Sequence, residues 1–148
     1  DAIVISVGGG GLIGGTASYL KTVWPEILVI GCSPENSAVM LHSIKAGKIL
    51  DLESKPTLSD GTAGGVEENT ITFPVCCEVI DESVLVTEDE IKEAMVLYIE
   101  KEHQLLEGAA GTAVAALLKK KADLKGLRVG VVICGGNISL DTVRRFLN

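Results

Sequence analysis

The stretch Ala2-Ile3-Val4-Ile5-Ser6-Val7-Gly8-Gly9-Gly10-Gly11-Leu12 decides the fold. Its first six residues are mostly β-branched aliphatics and read as a strand, and the apolar run from Leu12 to Val23 reads as a helix. Four glycines join the two. Without a Cβ, backbone can wrap closely around a ligand at these positions. The helix that follows begins with N–H groups that have no partner inside it, and it carries roughly half a positive charge at that end. Strand, glycines and helix in this order make a cradle for an anion, above all a phosphate.

Working outward, strands and helices alternate. Ile27–Gly31 reads as a second buried strand and Ala38–Lys45 as a short helix. The polar segment from Gly47 to Asn69 is longer than ordinary connections, which marks it as a functional loop. Thr72–Ile80 reads as a helix with Pro74 in its first turn, and Ser83–Val86 as a strand. Thr87-Glu88-Asp89-Glu90 has the form of a capping box and opens a helix to about Glu102. Ala110–Lys121 is a further helix, Arg128–Ile133 the last strand, and Leu140–Leu147 a final helix capped by Ser139. This alternation predicts an α/β fold, a three-layer domain with a parallel sheet and helices on both faces.

Composition agrees. The 148 residues are about one domain's length, 47% are hydrophobic and only 3% aromatic, so the core is aliphatic, as suits strands covered on both sides. The net charge of −7 speaks against nucleic acid as a partner. Lys119-Lys120-Lys121, the one basic cluster, reads as a solvated helix end favoured by the dipole. No apolar stretch reaches the ~18 residues of a membrane span, and no signal peptide is visible. Cys32, Cys76, Cys77 and Cys134 show neither zinc spacing nor a disulfide framework, which points to a reducing cytoplasm. The chain opens directly on a strand at Asp1, as a piece of a longer protein would.

In parallel sheets of this kind ligands gather beyond the carboxyl ends of the strands. Three groups fall there: the glycines after Val7, Cys32-Ser33 after Ile30, and Cys134-Gly135-Gly136-Asn137 after Ile133. Gly9-x-Gly11-x-x-Gly14 matches the dinucleotide fingerprint in form, yet the second strand ends without the carboxylate that would hold a ribose. Glu107-Gly108-Ala109-Ala110-Gly111 sets an acid before a helix of small residues, where it serves either as a cap or toward a ligand.

Four motifs in order carry a resemblance: Val7 to Leu12, Leu58-Ser59-Asp60-Gly61-Thr62-Ala63, Glu107-Gly108-Ala109, and Cys134-Gly135-Gly136-Asn137. Together with Val84 to Ile91 they resemble the serine/threonine dehydratases (ammonia-lyases) and serine racemases among fold type II pyridoxal-phosphate enzymes, the short catabolic threonine dehydratases especially. The resemblance runs from about Ala2 to Leu147. It implies that residues 1–148 are the C-terminal part of a longer enzyme, carrying its large, pyridoxal 5'-phosphate-binding domain.

By the same resemblance, backbone N–H groups of Gly8, Gly9, Gly10, Gly11 and Leu12 hold the cofactor phosphate. Cys134 lies beside the pyridine nitrogen, Asp60 and Gly61 border the cofactor face, and Glu107 lies near the ring or the substrate. A thiol at the ring nitrogen cannot hold a proton there as a carboxylate would. Charge building up at the substrate's α-carbon should then be short-lived, which fits rapid loss of a β-hydroxyl. The implied reaction is deamination of L-Thr or L-Ser to a 2-oxo acid and ammonia.

Two departures qualify this picture. The family's Schiff-base lysine belongs to an N-terminal Ser-x-Lys-x-Arg-Gly-like motif, and none of the ten lysines here has such a context. No catalytic residue is therefore assigned within the chain, which alone should be inactive and should need the missing N-terminal half. Positions matching the divalent-cation ligands of racemase-like relatives are Ser33 and Val39, poor donors for a hard cation, so no metal is expected. Similar enzymes are dimers or tetramers, so a homo-oligomer is expected at full length. The alternatives are a serine or hydroxy-amino-acid racemase of the same family, and a non-catalytic domain binding a phosphate ligand or a dinucleotide.

Overall fold

The structure is a computed structural model, and it describes residues 1–147. Four parallel strands form one sheet in the order β3-β2-β1-β4. They are β1 (Ala2–Ser6), β2 (Leu28–Pro34), β3 (Glu82–Val86) and β4 (Val129–Val131). Among the described residues six α-helices accompany them: α1 (Gly11–Val23), α2 (Val39–Ala46), α3 (Thr72–Val79), α4 (Glu88–Glu102), α5 (Gly108–Lys119) and α6 (Leu140–Leu147).

Side chains alternate across a strand, so neighbouring residues feed opposite cores. Ile5, Val7 and Val29 face Ile13 and Ala17 of α1, Met40 and Leu41 of α2, and Cys76 and Val79 of α3. Val4, Ile30, Val84 and Val86 face Ile91 and Met95 of α4, the alanines of α5, and Phe146 of α6. The molecule is therefore the three-layer parallel α/β fold expected from the alternation, α1–α3 on one face and α4–α6 on the other. Fully burying each Val or Ile contributes about 1.5–3 kcal/mol, so the aliphatic strands hold both layers to the sheet.

Where element ends differ from expectation, packing explains it. β2 does not stop at Gly31 but runs on to Pro34, because β3 pairs with it there: Cys32 lies opposite Val84, Ser33 opposite Leu85 and Pro34 opposite Val86. Gly31 is an interior strand residue kept small by its neighbours; a Cβ would stand 3.1 Å from Val7 and 3.2 Å from Ile80. β4 is shorter than Arg128–Ile133: its pairing with β1 runs from Val129 opposite Ala2 to Val131 opposite Val4. The long 47–69 loop contains a short 3-10 turn, Asp60–Thr62, which returns to the end of β1. Among the described residues no helix is long and apolar enough to cross a membrane.

Candidate functional site

The chain adds β2 and then β3 on one side of β1, and afterwards places β4 on the other. Connections leaving β1 and β4 thus part in opposite directions, which opens a crevice beyond their carboxyl ends. At that point lies a cleft of about 280 Å³.

Its floor is the glycine loop. Val7 fixes where the loop starts: its N–H donates to Cys32 O at 2.7 Å, and its carbonyl accepts the Ser33 hydroxyl at 2.8 Å. The four glycines then divide by role. At Gly8 a Cβ would stand 2.9 Å from the backbone of Thr62, so the loop can approach the Asp60–Thr62 turn only without one. Gly10 has φ +85°, a conformation that side chains disfavour, and a Cβ there would lie 2.7 Å from Cys76 Sγ. Gly9 and Gly11 have no protein atom within 4 Å of where a Cβ would stand. The protein itself does not require glycine at these two; what their lack of side chains preserves is open space in the cleft.

Next comes the start of α1. Gly10 is its N-cap, no side chain caps it, and its first turn has no acidic residue. Its first N–H groups and its positive dipole end therefore meet the cleft without a protein anion to satisfy them. Leu12, whose amide follows the loop, is on the lining.

Three walls complete the cleft. From the segment that follows β4 comes Cys134, half-buried, whose Sγ lies 3.4 Å from the hydroxyl of Ser6 at the end of β1. From the turn come Gly61 and Thr62, and from the start of α5 come Glu107 and Ala109. Glu107 is the N-cap residue of α5, yet its side chain makes no capping bond. The carboxylate instead reaches across to Gly135, where a Cβ would overlap it, while the Glu107 N–H donates to Gly135 O at 3.1 Å. Of the two roles the sequence leaves open for this acid, side-chain capping of α5 is not made.

Gly8, Gly9, Gly10, Gly11, Leu12, Gly61, Glu107 and Cys134 thus meet in one place. Asp60 does not join them. Its side chain is exposed, takes the Gly61 N–H at 2.8 Å, and lines an adjoining cavity of about 410 Å³ with Glu88, Asn137 and again Glu107. Cys32-Ser33, expected beyond the second strand, is buried inside β2, where Cys32 Sγ donates to Ile5 O at 3.4 Å. Burial, with the nearby Cys134, raises the Cys32 thiol far above its ordinary range. Burial and the adjacent Cys77 push Cys76 up to about 11. Both flanking thiols therefore stay neutral at physiological pH. Val39, the other residue weighed as a cation ligand, is packed in the core. Ser6 and Thr62 are lining residues that the sequence did not single out; each is brought in by a partner distant along the chain.

These residues fit a phosphate-bearing ligand: a helix start with no side-chain cap at one end, space where two side chains are missing, and a thiol and a carboxylate beyond. A family model described as pyridoxal-phosphate dependent enzyme matches residues 1–135. The chain belongs to this pyridoxal-phosphate-dependent family. It is 40% identical over 148 residues to an L-threonine ammonia-lyase of Thermotoga maritima, covering 100% of the chain and 36% of that relative. To a serine racemase of Dictyostelium discoideum it is 39% identical over 154 residues, covering 100% and 46%. The solved processed form of threonine deaminase isoform 2 from Solanum lycopersicum superimposes with a TM-score of 0.89 at 30% identity, covering 98% of the chain and 43% of that structure. The chain spans less than half the length of the curated relatives it matches.

Proposed function

We propose that residues 1–148 form the large-domain portion of a threonine/serine dehydratase and supply the phosphate loop and one ring wall of its pyridoxal-phosphate site. The observation that carries this is the uncapped start of α1 at the β1/β4 crevice, with Gly9 and Gly11 facing empty space. When bound, the cofactor withdraws electrons from the α-carbon of an amino acid joined to it. Amides of Gly8 to Leu12 bind and orient its phosphate. Cys134, whose Sγ lies 3.4 Å from the Ser6 hydroxyl, would stand beside the ring nitrogen, where a thiol offers a hydrogen bond. Glu107 provides the one carboxylate on the cleft wall and orients the ring edge or the substrate's polar groups. Such a setting suits prompt loss of a β-hydroxyl from L-Thr or L-Ser, giving a 2-oxo acid and ammonia.

A hydroxy-amino-acid racemase is the second reading, favoured by the 39% identity to the Dictyostelium enzyme. The partner that completes the site is the N-terminal half bearing the covalent lysine, and the assembled enzyme is a cytoplasmic homo-oligomer. Absorbance and fluorescence titrations with pyridoxal phosphate and NADH test the site: weak, reversible uptake of pyridoxal phosphate is expected, and binding of NADH alone overturns the reading. Co-expression with the lysine-bearing half tests the chemistry. A 2-oxo acid from L-Thr or L-Ser supports the dehydratase; D-amino acid without 2-oxo acid supports the racemase.

A further inference from the structure

We infer that Thr72, with Cys76 behind it, is a positioning residue for the glycine loop: it ties back the loop carbonyls so that the intervening amides face the ligand. The inference rests on reading that loop as a phosphate site. Thr72 is the first residue of α3, and neither Thr72 nor Cys76 is among the residues that line the cleft. The Thr72 hydroxyl donates to Gly9 O at 2.6 Å, and Cys76 Sγ to Gly10 O at 3.6 Å. A trans peptide holds its C=O and the next residue's N–H in one plane, pointing in opposite directions. Pulling the Gly9 carbonyl toward α3 therefore turns the Gly10 N–H away from α3, while the Gly10 carbonyl is held jointly by the Gly14 N–H at 2.9 Å and by Cys76.

The direction of these bonds is fixed by proton counting. A carbonyl can only accept, so the single hydroxyl proton of Thr72 goes to Gly9 O, and the 2.8 Å contact between Thr70 and Thr72 must have Thr70 as donor. A short relay from Thr70 through Thr72 thus ends on the loop. At Gly9 no side chain exists to fix the loop, and beyond the two chain neighbours no protein atom lies within 4 Å of the missing Cβ. A chain of four glycines left free would have to be ordered each time a ligand arrives; a loop already held loses less entropy on binding.

The test uses pyridoxamine phosphate and pyridoxamine as fluorescent probes, since neither condenses with surface lysines. The full chain is compared with Thr72→Val, Thr72→Ser and Gly9→Val. Thr72→Val keeps the shape and removes the donor, and should bind pyridoxamine phosphate about three- to tenfold more weakly. Its affinity for pyridoxamine, which has no phosphate, should not change, and Thr72→Ser should recover wild-type affinity. Equal affinity in Thr72→Val, failure of Ser to rescue, or an equal loss for pyridoxamine overturns the inference. Should Thr72→Val lose its native far-UV spectrum, Thr72→Ala takes its place in the same comparison. Gly9→Val separates the two levels: if the phosphate probe still binds that variant as it binds wild type, the site reading itself fails, whatever Thr72 does.

Discussion

Helices α1 and α4 both start just past the end of a parallel strand, yet their first turns are finished in opposite ways. At α4, Thr87 and Glu90 close a reciprocal box: Glu90 N–H donates to Thr87 Oγ1 at 3.2 Å, and Thr87 N–H to Glu90 Oε2 at 2.8 Å. Three acidic residues, Glu88, Asp89 and Glu90, then complement the dipole from within. At α1 the cap is a left-handed glycine, with no side-chain bond and no acid. The positions in the sheet differ as well. α4 leaves β3 at the outer edge, where no later strand turns back, whereas α1 leaves β1 beside β4 at the reversal of strand order. A helix start that the protein satisfies is structural; one left unsatisfied at the crevice is free for an outside anion.

Substitution at Gly10 should have the largest effect and tests how far the two roles of the loop can be separated. Gly10→Val places a branched side chain at φ +85° and against Cys76 Sγ and Met40 Cε, 2.7 and 3.0 Å from the new Cβ. Strain of about 1–3 kcal/mol and overpacking of similar size should lower stability by roughly 2–5 kcal/mol, a large share of a domain's total. Urea unfolding checks it, and cofactor uptake should vanish with it. Gly9→Val, one residue away, should do something different. Stability should stay within about 0.5 kcal/mol because the new atoms meet no protein. Pyridoxal phosphate affinity should nonetheless fall by about tenfold or more, at least about 1.4 kcal/mol, since they occupy the space left for it. Loss of stability without loss of binding in Gly9→Val would make the loop a tight turn and nothing more.

That contrast also shows why some of the site could be read from residues alone. The glycine loop was legible because an absent side chain is visible in sequence, and so was the capping box, whose partners sit three residues apart. Cys134 and Glu107 followed from their places after a strand and before a helix. Gly31 misled, since a glycine kept small by Val7 and Ile80 looks the same in sequence as one that ends a strand. Cys32 and Ser33 were consequently placed outside a strand that in fact buries them. Of the Asp60–Thr62 turn, Gly61 and Thr62 line the cleft, while the Asp60 carboxylate takes the Gly61 N–H instead. Ser6 and Thr72 left no signal and Thr62 stood out only as part of the motif around Asp60, for each meets a partner more than fifty residues away, and only the folded sheet brings those pairs together.

At α4 the effects should be smaller and should leave binding untouched. Thr87→Ala removes the acceptor for the Glu90 N–H and should cost about 1 kcal/mol of stability, with unchanged pyridoxal phosphate affinity. The companion acid gives a finer test through pH. Burial alone would raise the Glu90 carboxyl, but the Thr87 N–H and Lys119, 3.0 Å away, together hold it below its ordinary range. A carboxylate whose pKa is lower in the folded state stabilises the fold above the ordinary carboxylate range and loses that contribution as pH falls through its folded value. Glu90→Gln keeps an acceptor oxygen and removes the charge. At neutral pH it should be less stable than wild type by up to about 1 kcal/mol, as for half-exposed ion pairs. In acid the two unfolding curves should converge, while at neutral pH their affinities for pyridoxal phosphate should coincide. A deficit that persists unchanged in acid would mean that Glu90 acts through shape rather than charge. A variant that also lost cofactor would mean that the two helix starts are coupled, and the division between a filled and an open one would not hold.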